Sequence, residues 1–191
     1  MIVFIGNGSA VILMKWKGRK AMLFNFKVDD EPILDYENIV ERIAIRGVII
    51  HNDKILLVET SKGDLKFPGG GLEVGESNEE CLLREIKEET GYVNIECSQL
   101  IGKYIQRRHD TFSNQNIYQM CSYYYICKIH SFEKVDVILD DYEKELQFQS
   151  KWVGLEEAIQ QNLQAICQPH ANGWVGRELV VLAQLKSFGD I

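Results

Sequence analysis

Three glutamates with a spacing that suits metal binding mark the part of this sequence best equipped for chemistry. Glu85, Glu88 and Glu89 stand at positions i, i+3 and i+4, which places their carboxylates on one face of an α-helix. Carboxylates at these positions repel one another, and the negative C-terminal end of the helix dipole adds to the repulsion. A divalent cation such as Mg²⁺ or Mn²⁺ relieves it, because such ions prefer oxygen ligands and accept several carboxylates. Arg84 and Lys87 offer an alternative, since mixed charge clusters are also common on solvated helices.

The segment before these glutamates adds groups that suit a bound ion or phosphate. Gly69, Gly70 and Gly71 follow Pro68, and a chain with this composition must turn. Because glycine has no Cβ, the carbonyl and amide groups of the turn can closely approach an ion or a phosphate. Glu76 supplies another carboxylate shortly afterwards. The sequence therefore places a glycine turn, the start of a helix and an acidic helix face next to one another.

A helix that carries the glutamates is predicted between Ser77 and Gly91. Ser77 is a suitable N-cap, and Glu80, three residues later, completes a capping box in which each residue satisfies a backbone N–H of the other. Gly91 suits the left-handed conformation that ends many helices.

Strands are predicted on both sides of this helix from runs of apolar and β-branched residues. They cover residues 43–50, 55–60, 65–67, 93–107, 117–129 and 151–153, and two further helices are predicted from Leu155 and over residues 174–188. Near the N-terminus, residues 10–16 and 21–26 flank a charged segment, Lys17 to Lys20, which predicts a β-hairpin.

The string that begins at Gly70 resembles the signature of the Nudix hydrolases, the MutT-like family. The family pattern is G-x5-E-x7-R-E-U-x-E-E-x-G-U, where U is aliphatic. Eight of its nine fixed positions are matched, by Gly70, Glu76, Arg84, Glu85, Ile86, Glu88, Glu89 and Gly91. Tyr92 stands at the final aliphatic position and is followed by Val93. The resemblance extends less sharply over residues 42–164.

The resemblance implies an α/β fold, a Nudix-type α/β/α sandwich with a mixed sheet. The sequence adds an N-terminal β-hairpin extension and a C-terminal helix to this fold. We therefore divide the chain into an N-terminal hairpin extension, residues 1–41, and a Nudix hydrolase domain with its C-terminal helix, residues 42–191.

The resemblance also implies an enzyme that hydrolyses a pyrophosphate bond in a nucleoside diphosphate linked to another moiety, with Mg²⁺ or Mn²⁺ as cofactor. Such ions neutralise phosphate oxygens and lower the pKa of a bound water. The implied catalytic residues are Arg84, Glu85, Glu88 and Glu89. The implied metal contacts are Glu76, Glu85, Glu88, Glu89 and the Gly70 carbonyl, with Glu76 either a ligand or an outer partner. Arg84 would hold a neighbouring glutamate in place.

The general base has more than one candidate. In some family members it corresponds to Glu85, and in others it comes from a loop near the last strand. That loop contains four acidic residues here: Asp140, Asp141, Glu143 and Glu145. The alternative is that this run is a solvated acidic loop with no catalytic part.

Candidate substrate-binding residues lie at the end of the strand over residues 93–107 and beside the glycine turn. Arg107 and Arg108 suit contact with phosphate, and Tyr104 suits stacking on a base, although an exposed strand end with scattered charges has the same composition. Phe67 is expected to pack beneath the turn.

The substrate class is narrowed by what the sequence lacks. The three prolines are Pro32, Pro68 and Pro169, so none lies about fifteen residues past the signature, where many ADP-ribose hydrolases that match this pattern have one. The sequence leaves four substrate classes open: a nucleoside triphosphate, an oxidised nucleotide, a nucleotide sugar or a dinucleotide. The alternative function is a catalytically silent nucleotide-sensing or regulatory module with the same fold.

The composition and net charge of the chain limit the kinds of partner that it can bind. The chain has 191 residues, of which 46% are hydrophobic and 26% are charged, values typical of one globular domain. The 21 basic and 28 acidic residues give a net charge of −7. This charge argues against a nucleic-acid partner, which usually binds a basic face, and it is compatible with a nucleotide-type small molecule that binds together with a metal ion.

The cellular location is expected to be cytoplasmic. No segment approaches the roughly 18 apolar residues of a membrane helix, and the apolar run at residues 1–5 lacks the basic residues of a signal peptide. The five cysteines form no C-x-x-C pair, which favours reduced thiols. The apolar runs of the N-terminal hairpin suggest a homodimer.

Overall fold

A computed structural model describes residues 2–5, 9–12, 22–33, 35–113 and 115–188 of the chain. Within these ranges the strands are β1 (Ile2–Ile5), β2 (Ser9–Ile12), β3 (Phe24–Asp29), β4 (Asn38–His51), β5 (Lys54–Glu59), β6 (Leu65–Lys66), β7 (Ile95–His109), β8 (Asn116–Ile129) and β9 (Gln149–Gly154). The helices are α1 (Asn78–Thr90), α2 (Asp141–Glu145), α3 (Leu155–Ala165) and α4 (Val175–Ser187). The predicted strands and helices from residue 43 onwards are confirmed, and α2 lies in the segment predicted as an acidic loop.

Seven strands form one mixed sheet in the order β3-β7-β8-β4-β5-β6, with β9 paired to β5. β4 is parallel to β8, whereas β7 is antiparallel to β8. The hairpin between β4 and β5 brings Ile50 opposite Ile55. Its turn residues Asn52 and Asp53 have φ values of 48° and 59°, the left-handed conformations that suit a tight two-residue turn.

Alternating side chains of the central strands build two cores, one on each face of the sheet. Ile45 and Ile49 of β4 share a buried cluster with Leu82 and Ile86 of α1. On the other face, Val48 of β4 packs in a cluster with residues of α3 and α4, including Ala158, Leu182 and Leu185. The α/β/α sandwich and its C-terminal helix are confirmed.

The N-terminal strands differ from the prediction. β1 and β2 form a hairpin with Ile5 opposite Ser9, so residues 10–12 pair with residues 2–4. The predicted turn at Lys17 to Lys20 lies outside the described residues. Among the described residues, β3 pairs in parallel with β7, from Phe24 opposite Gly102 to Asp29 opposite Arg107. The described residues 10–12 and 24–26 thus do not pair with each other, and the remainder of the predicted hairpin stays a prediction.

Burial of aromatic side chains explains why β3 pairs with β7. Phe24 and Phe26 are buried in the core beside α4, and a Cβ at Gly102 would collide with the Phe24 ring. Pairing with β7 buries both rings, which is favourable by roughly 1.5–3 kcal/mol for each large apolar side chain. Local sequence signals cannot reveal this long-range pairing.

In the part of the chain that the structure describes, no helix combines the length and the hydrophobicity needed to cross a membrane.

Candidate active site

The start and the end of α1 are set by the capping residues that the sequence predicts. The N–H of Glu80 donates to the Ser77 hydroxyl at 3.3 Å, and the N–H of Ser77 donates to the Glu80 carboxylate at 2.9 Å. Gly91 ends the helix with a φ of 78°. Because Leu82 and Ile86 are buried against the sheet, the helix cannot rotate without losing its packing, and its acidic face is held at the sheet edge.

The glycine turn is joined to β4 and packs directly against α1. Backbone N–H groups of Ile45 and Gly47 donate to the carbonyls of Gly70 and Pro68, each at 2.9 Å. Gly69 has a φ of 131°, where any Cβ would collide with the Ile45 carbonyl, and a Cβ at Gly70 would collide with the Glu85 carboxylate. Glycine at position 69 therefore permits the close contact with β4, and glycine at position 70 permits the approach of Glu85.

Arg84 gathers three of the acidic side chains around one guanidinium group. It donates to Glu76 at 2.8 Å, to Glu85 at 2.8 Å and to Glu88 at 3.1 Å. A further bond of 3.3 Å reaches the Gly71 carbonyl. These bonds lower the pKa of the Glu76 carboxyl to about 2, and they raise the pKa of the guanidinium. The structure thus brings Glu76, Glu85 and Glu88 together through Arg84.

Glu89 has different partners. It is 1% exposed, forms an ion pair with Lys66 and accepts a bond of 2.9 Å from the Gly69 N–H. Burial raises the pKa of Glu89. Burial is also the main cause of the raised pKa of Glu85, with the nearby charge of Glu89 second. Glu89 therefore anchors the glycine turn through Lys66 and the Gly69 N–H rather than through Arg84.

The donor groups near α1 fit a hard divalent cation. A cleft of about 360 Å³, which we name the acidic cleft, has oxygen-rich walls. Its charged lining residues are Arg42, Glu73, Arg84, Glu85, Glu88, Asp140 and Glu143. Five carboxylates against two guanidinium groups suit an ion that prefers oxygen ligands. Among the described residues, however, no three acidic, histidine or cysteine side chains already converge as a metal cluster.

The acidic segment before β9 contributes selectively to this cleft. Asp140 and Glu143 line it, whereas the exposed Asp141 and Glu145 do not. Glu143 is 5% exposed, and its carboxylate accepts bonds of 2.9 Å from the Asp140 N–H and the Tyr142 hydroxyl. The alternative of a purely solvated loop is wrong for Glu143, because its side chain is buried and hydrogen-bonded.

A second cleft, which we name the basic cleft, has the opposite charge. Its volume is about 480 Å³, and Arg42 and the glycine turn border both clefts. Its charged lining residues are Asp30, Arg42, Arg46, Lys66, Arg108 and Arg177. Five cations against one carboxylate suit an anionic ligand such as a phosphorylated compound.

Several of these cations have fixed positions. Arg46 donates to the Gly69 carbonyl, and Arg177 forms a buried ion pair of 2.7 Å with Glu178. Lys66 is held by Glu89. Sequence reasoning missed all three, because isolated basic residues in apolar strands and helices carry no spacing signal that distinguishes them.

The predicted substrate-binding residues are divided by the structure. Arg108 lines the basic cleft, with its guanidinium 5.2 Å from the centre of the Tyr118 ring. Arg107 points away and bonds to Asp29 at 2.7 Å. Tyr104 is buried against Phe26, with ring centres 5.9 Å apart. Neighbouring residues of a strand face opposite sides, which explains the separation of the two arginines.

Phe67 lies directly before the glycine turn. It is fully buried and packs edge-on against Tyr124 at 5.3 Å. The expectation that Phe67 packs beneath the turn is confirmed, and its ring lies in the core rather than in the basic cleft.

Comparisons with known proteins identify the family of this chain. The sequence profile of the NUDIX domain matches residues 41–172. Nudix hydrolase 4 of Arabidopsis thaliana is 32% identical over 149 residues, which cover 76% of this chain and 61% of that protein. The ADP-ribose pyrophosphatase of Methanocaldococcus jannaschii is 42% identical over 66 residues, which cover 32% of this chain and 38% of that protein. The chain thus spans less than two thirds of the length of either relative.

A solved structure agrees as well. The NUDIX hydrolase from Nitrosomonas europaea superposes with a TM-score of 0.51 at 26% identity, over 77% of this chain and 90% of that one. The resemblance carried by the signature from Gly70 to Gly91 is confirmed. Because the profile covers more than half of the chain and includes the whole acidic face of α1, the chain belongs to the NUDIX family.

Proposed function

We propose that this chain is a divalent-metal-dependent pyrophosphohydrolase that cleaves a pyrophosphate bond in a nucleoside diphosphate linked to another moiety. The observation that carries the proposal is the junction of the acidic and basic clefts at Arg42 and the glycine turn. A pyrophosphate substrate needs a cation-binding group and an anion-binding group side by side, and these two clefts provide both. Relatives named as pyrophosphatases support the same reaction.

Glu85 and Glu88 would hold the cation, Mg²⁺ or Mn²⁺, on the wall of the acidic cleft formed by α1. The bound ion supplies neutralisation of phosphate charge and a water of lowered pKa. Glu76 orients Arg84, and Arg84 fixes both ligands, an arrangement that keeps metal-binding carboxylates in position. Glu89 and the Gly70 carbonyl stay predicted ligands, and in the structure they bond to Lys66 and to the Ile45 N–H.

Glu143 is the general base in this proposal. It lines the same acidic cleft as Glu85 and Glu88 but lies on a separate helix, and it takes no part in the Arg84 network. Its carboxylate is held by the Tyr142 hydroxyl and the Asp140 N–H, so it has a defined position, as a proton acceptor requires. Asp141 and Glu145 are solvent-exposed and do not line the acidic cleft, so neither is assigned this role.

The reaction is tested with the purified full chain and a substrate panel in Mg²⁺ or Mn²⁺. The panel contains nucleoside triphosphates, oxidised nucleotides, nucleotide sugars, dinucleotides and ADP-ribose, and mass spectrometry identifies the products. We expect turnover of at least one compound. Glu88→Gln should reduce the turnover rate by more than about 100-fold. Loss of a residue that only orients a metal ligand costs roughly 10- to 100-fold, so a larger loss indicates a ligand. Absence of turnover across the panel with both metals would refute the proposal.

A nucleotide-sensing module without catalysis is the second candidate. The observation in its favour is that all four signature glutamates are ion-paired with Arg84 or Lys66. It predicts nucleotide binding, measured by calorimetry, with no metal-dependent product. Nucleotide turnover that Glu88→Gln abolishes would exclude it.

The remaining proposals concern the division of the chain into segments, its cellular location and its oligomeric state. We assign the activity to residues 42–191 and regard residues 1–41 as an extension that lends β3 to the sheet, and we propose a cytoplasmic location. The proposed homodimer is tested by light scattering of the full chain and of a chain that lacks residues 1–21 but keeps β3. A monomeric full chain would contradict the dimer.

A further inference from the structure

Two segments outside the NUDIX profile match meet at one end of the basic cleft. The match covers residues 41–172. Asp30 follows β3 on the N-terminal side, and Gly173 and Trp174 precede α4 on the C-terminal side, yet all three line this cleft. Parts of the chain that do not belong to the shared domain therefore shape its binding surface.

Asp30 is the one carboxylate among the described residues that line the basic cleft. Its N–H donates to the Arg107 carbonyl at 2.9 Å, which extends the pairing of β3 with β7. Its carboxylate accepts bonds of 3.0 and 2.9 Å from the Gln106 amide, and that amide lies 3.4 Å from the Gly173 carbonyl. Gln106 thus links the N-terminal segment to the C-terminal one.

Trp174 is fixed at the same end of the cleft by Asp64. The indole N–H donates to the Asp64 carboxylate at 2.7 Å. Asp64 is 1% exposed and also accepts bonds from Thr60 at 2.6 Å and from Asn172 at 2.8 Å. A buried carboxylate with three donors holds the indole in one orientation, so the ring forms a rigid aromatic wall.

These groups are unsuited to phosphate. The Asp30 carboxylate, whose charge offsets part of that of nearby Arg108 and Arg177, repels phosphate oxygens, whereas Arg42 at the junction with the acidic cleft attracts them. A carboxylate and an aromatic wall suit a flat, uncharged group that carries N–H or O–H donors. A nucleoside combines these properties, because its base offers a stacking face and its base edge and ribose offer donors.

We propose that Trp174 and Asp30 bind the nucleoside portion of the substrate, with the indole stacked on the base and the carboxylate accepting a hydrogen bond from the base edge or the ribose. The inference rests on the proposed function in that it places a nucleoside diphosphate in the basic cleft. The phosphates then lie toward Arg42 and the glycine turn. Specificity for the nucleoside would come from two segments outside the shared domain.

The test is calorimetry on the full chain with two kinds of probe. The nucleotide probes are the α,β-methylene analogues of ADP, GDP, CDP and UDP, and the base-free probe is methylenediphosphonate. We expect at least one analogue to bind more tightly than methylenediphosphonate. Trp174→Leu should lower the affinity for that analogue by about 5- to 150-fold, the range that corresponds to loss of one stacking contact. The affinity for methylenediphosphonate should stay within about twofold of the wild-type value.

Asp30→Ala provides the second variant, with Asp29→Ala as its matched control. Asp29 is the preceding carboxylate, and it bonds to Arg107 rather than lining the cleft. Asp30→Ala should lower the affinity for the same analogue by about 2- to 13-fold, the cost of one hydrogen bond, and Asp29→Ala should leave that affinity unchanged. Equal effects of the two variants, or equal weakening of both kinds of probe by Trp174→Leu, would overturn the inference.

Fluorescence keeps the test decisive if Trp174→Leu does not fold. Trp174→Phe keeps an aromatic ring, and saturating analogue should quench the tryptophan emission of the wild-type chain but not that of this variant. Unquenched wild-type emission would overturn the inference. Trp174-dependent binding without turnover of any panel substrate would refute the proposed reaction alone, and turnover with Trp174-independent binding would refute the inference alone.

Discussion

The acidic and basic clefts adjoin at Arg42 but are constructed in different ways. The acidic cleft takes most of its carboxylates from α1 and the residues just before it, and Arg84 ties three signature glutamates together. The basic cleft draws its residues from strands β4, β6, β7 and β8 and from both flanking segments. One cleft is thus a local motif, and the other is a product of the tertiary fold.

This difference separates the chemical step from substrate selection. A local motif keeps metal-binding groups at fixed spacings, because one helix sets the geometry of all of them. A surface assembled from distant segments can change residue by residue while that motif stays intact. Variants of the acidic cleft should therefore change turnover, and variants of the basic cleft should change nucleotide affinity.

Glu143→Gln should have the largest effect on turnover. Removal of a general base costs roughly 10²- to 10⁴-fold in kcat, and the affinity for a nucleotide analogue should change little. Glu145→Gln on the same short helix is the matched control, because Glu145 is exposed. Its kcat should stay within about twofold of the wild-type kcat. Steady-state kinetics provides the measurement. If Glu85→Gln lost more kcat than Glu143→Gln, at saturating metal, the base would be Glu85.

Lys66→Met should have the largest effect on stability, since Lys66 lines the basic cleft and pairs with Glu89 of α1. Removal of one partner of a buried ion pair costs about 3–5 kcal/mol in the free energy of unfolding. Lys54→Met, at an exposed lysine, should cost less than about 0.5 kcal/mol. Urea denaturation measures both. A cost for Lys66→Met as small as that of Lys54→Met would show that the pair does not stabilise the junction.

The same variant has a defined pH dependence. Burial already raises the pKa of Glu89 above its ordinary value of 4.5, and loss of Lys66 removes the charge that opposes this rise. A carboxyl whose pKa is higher in the folded state favours folding when protonated. The destabilisation by Lys66→Met should therefore be smallest near pH 4.5 and should grow as the pH rises. Lys66→Met combined with Glu89→Gln should remove most of this dependence.

Arg84→Lys should have a smaller effect that is confined to the acidic cleft. Lysine keeps the charge but cannot reproduce the several directed bonds of a guanidinium group. We expect kcat to fall by about 10- to 100-fold. Without those bonds the pKa of Glu76 should rise from about 2 toward its ordinary value, which a pH titration followed by NMR measures. An unchanged Glu76 pKa would contradict the role assigned to Arg84.

The two clefts also differ in how much of them the sequence predicts. The capping residues Ser77 and Gly91, and the acidic face between them, are local signals that the structure reproduces. The basic cleft depends on which strands become neighbours. Asp30 reaches it because β3 pairs with β7, and hydrophobic burial of Phe24 and Phe26 favours that pairing. No local pattern around Asp30 or Trp174 carries this information.

The smallest expected effect concerns the N-cap of α1. Ser77→Ala removes the hydroxyl that accepts from the Glu80 N–H, which should cost about 0.5–2 kcal/mol in the free energy of unfolding. Ser77→Asp is the matched variant, because aspartate is an equally good cap, and it should retain the stability. Since the cap supports α1 and lies outside the basic cleft, the affinity for nucleotide analogues should be unchanged in both variants. Thermal denaturation and calorimetry measure the two quantities. Weaker nucleotide binding by Ser77→Ala would show that the clefts are coupled through α1, and the separation of turnover from selection would then be incomplete.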